Sequence, residues 1–315
     1  MEFLKAFHNA FGLSRTRRSN HFCAPANIPD DDMKRNNITV YTPDSSLRHP
    51  GRMLLAMFRD LIAGRELAWQ LAVRDIRAQY RQTALGLLWA FILPLAHTMT
   101  WIFLSRAGIV TVRDTALPYP VYVFTGTMIW AIFMDAVNAP LQQTIAAKQM
   151  LAKINFPREA LVVSGIYQTL FNGAIKILLM LVTLMILGIS PKWTLIWFPL
   201  GILSLILAGT ALGLLVTPVG MLYTDIGKSL PLLMQFLMYM TPVVFPMPSG
   251  GWAEVMFKIN PMTSLILTTR DWLTGFSPAY LGTFFLVNGL VVALLLVVWV
   301  VYRAAMPILI ERMSA

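Results

Sequence analysis

The side chains able to do bond-making chemistry in this 315-residue sequence are few and scattered. Its histidines are His8, His21, His49 and His97, and only His97 falls within a long apolar run. Asp135 is the one carboxylate deep in such a run. Paired acids for proton transfer, a nucleophile beside its base, or a spaced set of metal ligands cannot be built from that stock. Gly227-Lys228-Ser229 has the ending of a phosphate-binding loop, but that loop needs a glycine where Leu222 stands. The stretch also follows an apolar run rather than a strand, so it reads as a short turn and gives no route to ATP hydrolysis. Cys23 is the sole cysteine, which leaves no intrachain disulfide and no cysteine-based metal site.

What remains is chemistry of binding and movement. Arg106, Asp135 and Lys176 lie within apolar runs, where a charge is costly and defaults to function. Arg106 sits near the end of its run and can snorkel. Asp135 stands about 12 Å from the inner end of its helix and Lys176 about 24 Å from the inner end of its own, at helical rise. That offset argues against a ready direct pair, although the lysine stem closes part of it. Aromatic residues add two faces. Trp89, His97, Thr100 and Trp101 fall within a third of one helical circumference, and Gln235, Tyr239 and Pro242 share a face of another. Rings stack on the apolar faces of sugars while polar groups take the hydroxyls, so these faces could line a glycan path. Ordinary helix packing is the other reading.

The elements that must position these residues are membrane spans. Hydrophobic residues make up 57% of the chain and charged ones 13%, too few to coat a soluble domain of this length. Runs of roughly 20 apolar residues predict six spans, near 86–110, 119–143, 160–188, 194–222, 229–246 and 281–303. The stretch 252–273 is apolar but broken by Glu254, Lys258, Asn260, Pro261, Arg270 and Asp271, and it reads as a re-entrant or interfacial hairpin. The net charge of +10 is concentrated, with thirteen of the 25 Lys and Arg before Gly86. This suits anionic headgroups better than nucleic acid. With the N-terminus in the cytoplasm, nineteen Lys and Arg lie inside and four outside, so both termini are expected to be cytoplasmic.

Two segments outside the spans have a pattern of their own. Residues 1–51 read as a flexible polar leader with no secretory signal. In the following stretch, 52–65, Leu54, Leu55, Phe58, Leu61 and Ile62 recur at helical spacing between Arg52, Arg59, Asp60 and Arg65. That predicts an amphipathic helix in the membrane interface, with a connector running to residue 85. The loop 145–159, IAAKQMLAKINFPRE, is basic, amphipathic and helical in pattern until Pro157. A short helix parallel to the membrane is what a permease offers to a motor subunit. A plain basic loop is the alternative.

Four motifs, in order, resemble one family. The first is Arg74-Asp75-Ile76 with Tyr80-Arg81-Gln82-Thr83, Leu85-Gly86, Trp89 and Pro94-Leu95. The second is Lys153-Ile154-Asn155-Phe156-Pro157-Arg158-Glu159. The third is Tyr223-Thr224-Asp225-Ile226-Gly227 with Pro231, Gln235, Thr241-Pro242-Val243 and Pro246. The fourth is Asn260-Pro261-Met262-Thr263 with Arg270-Asp271. From about residue 52 to the C-terminus the chain resembles the permease subunits of type 2 ABC exporters, within them the branch exporting O-antigen, capsular polysaccharide and teichoic acid. The leader departs from that family's short form, so nothing is carried over to it.

The resemblance implies an all-α homodimer of six-span subunits in a bacterial inner membrane, with two separate ATPase subunits that use ATP and Mg. This chain itself would bind no cofactor and catalyse nothing. The substrate would be an undecaprenyl-linked polysaccharide, with membrane lipids as further partners and no nucleic acid. The interfacial helix, with Leu54, Phe58, Arg59, Leu61, Ile62 and Arg65, would guide lipid-linked substrate to the entrance. Lys148, Met150, Lys153, Ile154, Phe156, Pro157 and Arg158 would form the coupling helix that docks on the ATPase. The first and fifth spans would line the channel through Trp89, His97, Thr100, Trp101, Gln235, Tyr239 and Pro242. The re-entrant stretch 247–280, with Asn260, Pro261 and Arg270, would form the exit gate. The rivals are a type 2 ABC exporter of drugs or small lipids, a transporter or channel needing no ATPase, and a membrane enzyme acting on polyprenyl-linked sugars, which lacks the residues for its chemistry.

Overall fold

Backbone at membrane depth has no water to bond, so each apolar run satisfies its own N–H and C=O groups as a helix. The computed structural model describes residues 50–81, 88–109, 117–151, 153, 156–189, 192–248 and 250–314. Every regular element among them is helical: α1 (Pro50–Ala63), α2 (Arg65–Arg81), α3 (Trp89–Arg106), α4 (Tyr119–Ala146), α5 (Lys148–Leu151), α6 (Glu159–Ile186), a 3₁₀ turn (Trp193–Trp197), α7 (Phe198–Leu222), α8 (Thr224–Tyr239), α9 (Gly251–Ile259), α10 (Pro261–Thr274) and α11 (Leu281–Ser314). Residues 1–49 of the expected leader, positions 82–87 of the first motif, and Ile154 lie outside the described residues. So does the side chain of Leu54.

Four of these elements are long and apolar enough to cross a membrane: α4, α6, the 3₁₀ turn with α7, and α11. Their order of hydropathy is nearly the reverse of their burial. The most hydrophobic window, in α11, has a mean hydropathy of 2.8 and is 17% buried, while the least, in α4, has 1.4 and is 78% buried. Lipid explains the inversion: a helix wrapped in acyl chains must be apolar all round, and one wrapped in protein need not be. The buried middle of α4 accordingly carries Thr125, Gly126 and Thr127. Against it α7 presents small residues, and a Cβ on Gly209 or Gly213 would press into Ala136, Val137 and Pro140. Small residues let the two backbones approach closely, which is how spans associate where hydrophobicity gives no drive.

The two remaining expected spans are shorter. α3 has 18 residues and α8 has 16, about 27 Å and 24 Å at helical rise. The fifth apolar run, read as 229–246, starts its helix earlier, at Thr224, and ends it at Tyr239. Residues 240–245 continue as turns, because Pro242 cannot donate to the helix and disfavours helical backbone before it.

Candidate functional site

The basic loop between α4 and α6 is less helical than its pattern suggests. α4 runs to Ala146, the chain bends at Ala147, and one helical turn, Lys148–Leu151, follows. Phe156 and Pro157 are non-helical, and Glu159 opens α6. Pro157 accounts for Phe156, since its ring pushes the preceding residue out of helical backbone. The side chains divide by face. Met150, Leu151 and Phe156 turn inward onto an apolar cluster with Leu67 and Leu71 of α2, Leu161, Leu214, and Val298, Tyr302, Met306 and Leu309 of α11. Lys148 and Lys153 are exposed, and Pro157 and Arg158 are half-buried. The loop is therefore seated on the last helix and offers a basic face outward.

Helix α1, which the sequence predicts to lie in the interface, also divides. Met57 is fully buried with Trp299, and Leu61 packs beside them. Phe58 meets Trp299 edge to face at 5.4 Å, yet half of it remains uncovered. Ile62, Arg59 and Arg65 are exposed. One stripe of α1 thus grips α11, and Phe58, Ile62, Arg59 and Arg65 remain exposed. At the end of α1, Gly64 turns the chain directly onto α6: a Cβ there would stand 3.2 Å from that of Ala160.

The residues expected to line a channel are partly brought together. Trp101 packs edge to face on Tyr239 at 5.9 Å and on Phe245 at 5.0 Å. Gln235 donates from Nε2 to the Tyr239 hydroxyl at 3.0 Å. Trp89, His97 and Thr100 point outward from the chain. Pro242 is buried, and its carbonyl accepts the Tyr122 hydroxyl at 3.0 Å, so it serves packing in this chain and not a surface.

The hairpin residues are fixed to the same turn. Asn260 caps α10 by accepting from Met262 N at 3.0 Å, and its Nδ2 donates to Met240 O and Thr241 Oγ1, each at 2.9 Å. Pro261 takes the first helical position, where its missing N–H costs nothing, and is exposed. Arg270 is 1% exposed. Its Nη2 donates to Val243 O at 2.9 Å, and its guanidinium lies 3.8 Å from the Tyr122 ring centroid. A Cβ on Gly126 would overlap both Val243 O and Nη2, so that glycine makes the space. Arg270 Nε and Nη1 have no hydrogen-bond partner among the described residues. Next to it, burial pushes the Asp271 carboxyl up to about 6, against an opposing pull from Arg270.

The offset between Asp135 and Lys176 does not keep them apart. Lys176 Nζ donates to Asp135 Oδ2 at 2.6 Å and to Ala131 O at 3.2 Å. Helical side chains lean toward their own N-terminus. α4 and α6 run in opposite directions from their shared connection, so the lysine leans down as the aspartate leans up. α4 also extends three residues beyond the expected inner boundary, which lifts Asp135 by about 4.5 Å.

Other contacts had no signal in a single sequence. Gln143 donates to Gln168 at 2.7 Å, and Gln168 to Gln79 at 3.3 Å, a chain of amides tying α2 to α6 and α4. Arg303 of α11 donates from Nη1 to Glu159 and from Nη2 to Asp60, each at 2.6 Å. No group of three or more His, Cys, Asp or Glu able to hold a metal occurs among the described residues.

Spanning helices joined by a basic turn define a multi-pass membrane protein. The chain belongs to the ABC-2 type transporter family, whose model matches residues 66–274. It is similar to an O-antigen export system permease protein of Myxococcus xanthus, 27% identical over 216 residues that cover 68% of this chain and 82% of the relative. A permease of the same name from Klebsiella pneumoniae is 24% identical over 203 residues, 63% of this chain and 76% of the relative. The polysialic acid transport protein KpsM of Escherichia coli is 27% identical over 241 residues, 69% and 87% of the two chains.

Proposed function

We propose that this chain is the transmembrane permease subunit of an ATP-driven exporter that moves undecaprenyl-linked polysaccharide, of O-antigen or capsule type, across a bacterial inner membrane. The observation that carries the reading is the loop between α4 and α6. Lys148 and Lys153 face outward while Met150, Leu151 and Phe156 are seated on α11. A partner pushing on the basic face moves two spanning helices and the last helix together. The names of the relatives favour polysaccharide over drugs or small lipids.

In the working complex two copies of this chain pair with two ATPase subunits, which bind the ATP and Mg. Each copy spans six times, with α3 and α8 as its shorter first and fifth spans, both termini in the cytoplasm, and α9–α10 re-entering from the outer side. The free stripes of α1 receive the lipid-linked substrate. Export then proceeds along α3 and α8 toward the α9–α10 hairpin.

The test is co-purification with an ATPase subunit encoded beside this chain. Lys148→Glu with Lys153→Glu reverses the outward charge and is expected to abolish ATPase binding. Phe156→Ala leaves that charge but unseats the loop, and should keep binding while reducing stimulated hydrolysis. Full binding and stimulation in both variants would remove the coupling role from this segment.

A further inference from the structure

Arg303, Asp60 and Glu159 come from three elements far apart in sequence. Asp60 is in α1, Glu159 is the first residue of α6, and Arg303 is two-thirds of the way along α11. The guanidinium uses one nitrogen on each carboxylate, both at 2.6 Å. Its planar fork holds the two acids in one geometry, which a lysine ammonium would not do. One cation faces two anions, and Glu159 is almost wholly buried, its side chain 6% exposed. Glu159 sits at the N-terminus of α6, where the helix dipole favours a negative charge.

We infer that Arg303 is a positioning residue for transport: it locks the interfacial helix α1 to the first turn of α6, so that movement of the 147–158 loop is delivered to α1. This rests on the reading of that loop as the ATPase contact. Two observations make the linkage stiff. Gly64 brings the α1–α2 turn against Ala160, the residue after Glu159, so closely that a Cβ there would make a tight contact at 3.2 Å. Met57 and Phe58, one helical turn before Asp60 and Leu61, grip Trp299, one turn before Arg303. The loop ends at Glu159, so any displacement of Arg158 moves Glu159, and through Arg303 moves Asp60. The ATPase would thereby act on the substrate entrance through α1 at the same time as it acts on the spans.

The experiment uses the whole complex in proteoliposomes and reads glycan exported per ATP hydrolysed. Arg303→Gln and Asp60→Asn are each expected to lower that ratio about ten-fold, a usual size for coupling between sites. Arg303→Lys keeps the cation but not the planar fork and is expected to recover part of the ratio. A merely structural role would reduce export and hydrolysis in proportion and leave the ratio unmoved; that result overturns the inference. Asp60→Asn breaks only the more exposed arm, so it reports even where loss of Arg303 prevents folding. A wild-type complex that binds no ATPase or exports no glycan would sink the functional reading itself. A coupled wild type with equally coupled variants would sink only the role of Arg303.

Discussion

Lys176 and Asp135 illustrate how a charge survives at membrane depth. Neither is tolerable alone among apolar neighbours, and together they form a short ion pair with Ala131 O as an additional acceptor. Lys176→Met leaves the aspartate unpaired and is expected to cost about 2–4 kcal/mol, toward the lower end for a broken buried pair because Asp135 is partly uncovered. Asp135→Asn with Lys176→Met removes both charges and should recover most of that loss. Thermal unfolding of the detergent-purified protein measures both, and equal stability of single and double variants would show that the pair has no net role. Asp271 gives the opposite case. Burial holds its folded-state pKa at about 6, above the ordinary 3.8, so the folded state binds the proton more tightly. Its contribution is fully present below pH 4 and is lost as pH rises through 6. Asp271→Asn should therefore flatten the fall in melting temperature between pH 4 and 7. A slope unchanged by the substitution would assign that dependence to other groups.

Among the elements, those fixed by apolar runs were legible from sequence, and those fixed by packing were not. α4, α6, α7 and α11 lie where runs of apolar residues placed them. The charges and prolines that break 252–273 coincide with two short helices, α9 and α10. In the 145–159 loop the amphipathic pattern runs on to Pro157, whereas the described helical turn is Lys148–Leu151. The Asp135–Lys176 pair is not decided by sequence because rise per residue gives depth but not the lean of a side chain. Arg303 and Asp60 are separated by 243 positions, and no period or motif connects them. Asn260 was picked out with the fourth motif, but only the structure shows that its amide joins the α8 turn to α10. Asn260→Ala loses the cap, worth about 1 kcal/mol, and both bonds to residues 240 and 241. Asn260→Asp keeps the acceptor and loses the donor. The expected order of stability is wild type, then Asp, then Ala. Proteolysis of the 240–260 stretch should follow the reverse order, and indifference to both changes would mean that packing alone holds the hairpin.

For the molecule as a whole, exposure differs in kind between α11 and α3. α11 is apolar all round and presents Phe285, Leu286, Leu290 and Val297 outward, which suits acyl chains. α3 presents Trp89, His97 and Thr100 outward together with Met99 and Phe103, beside the Trp101–Tyr239–Gln235 contact. Thr100 already bonds Ala96 O at 3.0 Å, but a histidine turned to lipid would leave polar ring nitrogens without partners, whereas a surface shared with a second copy and a hydrated glycan would satisfy them. The two environments differ in water, and a thiol reports water directly. With Cys23 replaced, His97→Cys and Leu290→Cys each give a chain with one thiol. In membranes containing the complete exporter, His97→Cys should react with a charged, water-soluble thiol reagent, and faster while ATP is being hydrolysed. Leu290→Cys should react only with a lipid-soluble one. If His97→Cys behaves like Leu290→Cys with and without ATP, the α3 face belongs to lipid, and the glycan path must be sought elsewhere on the molecule.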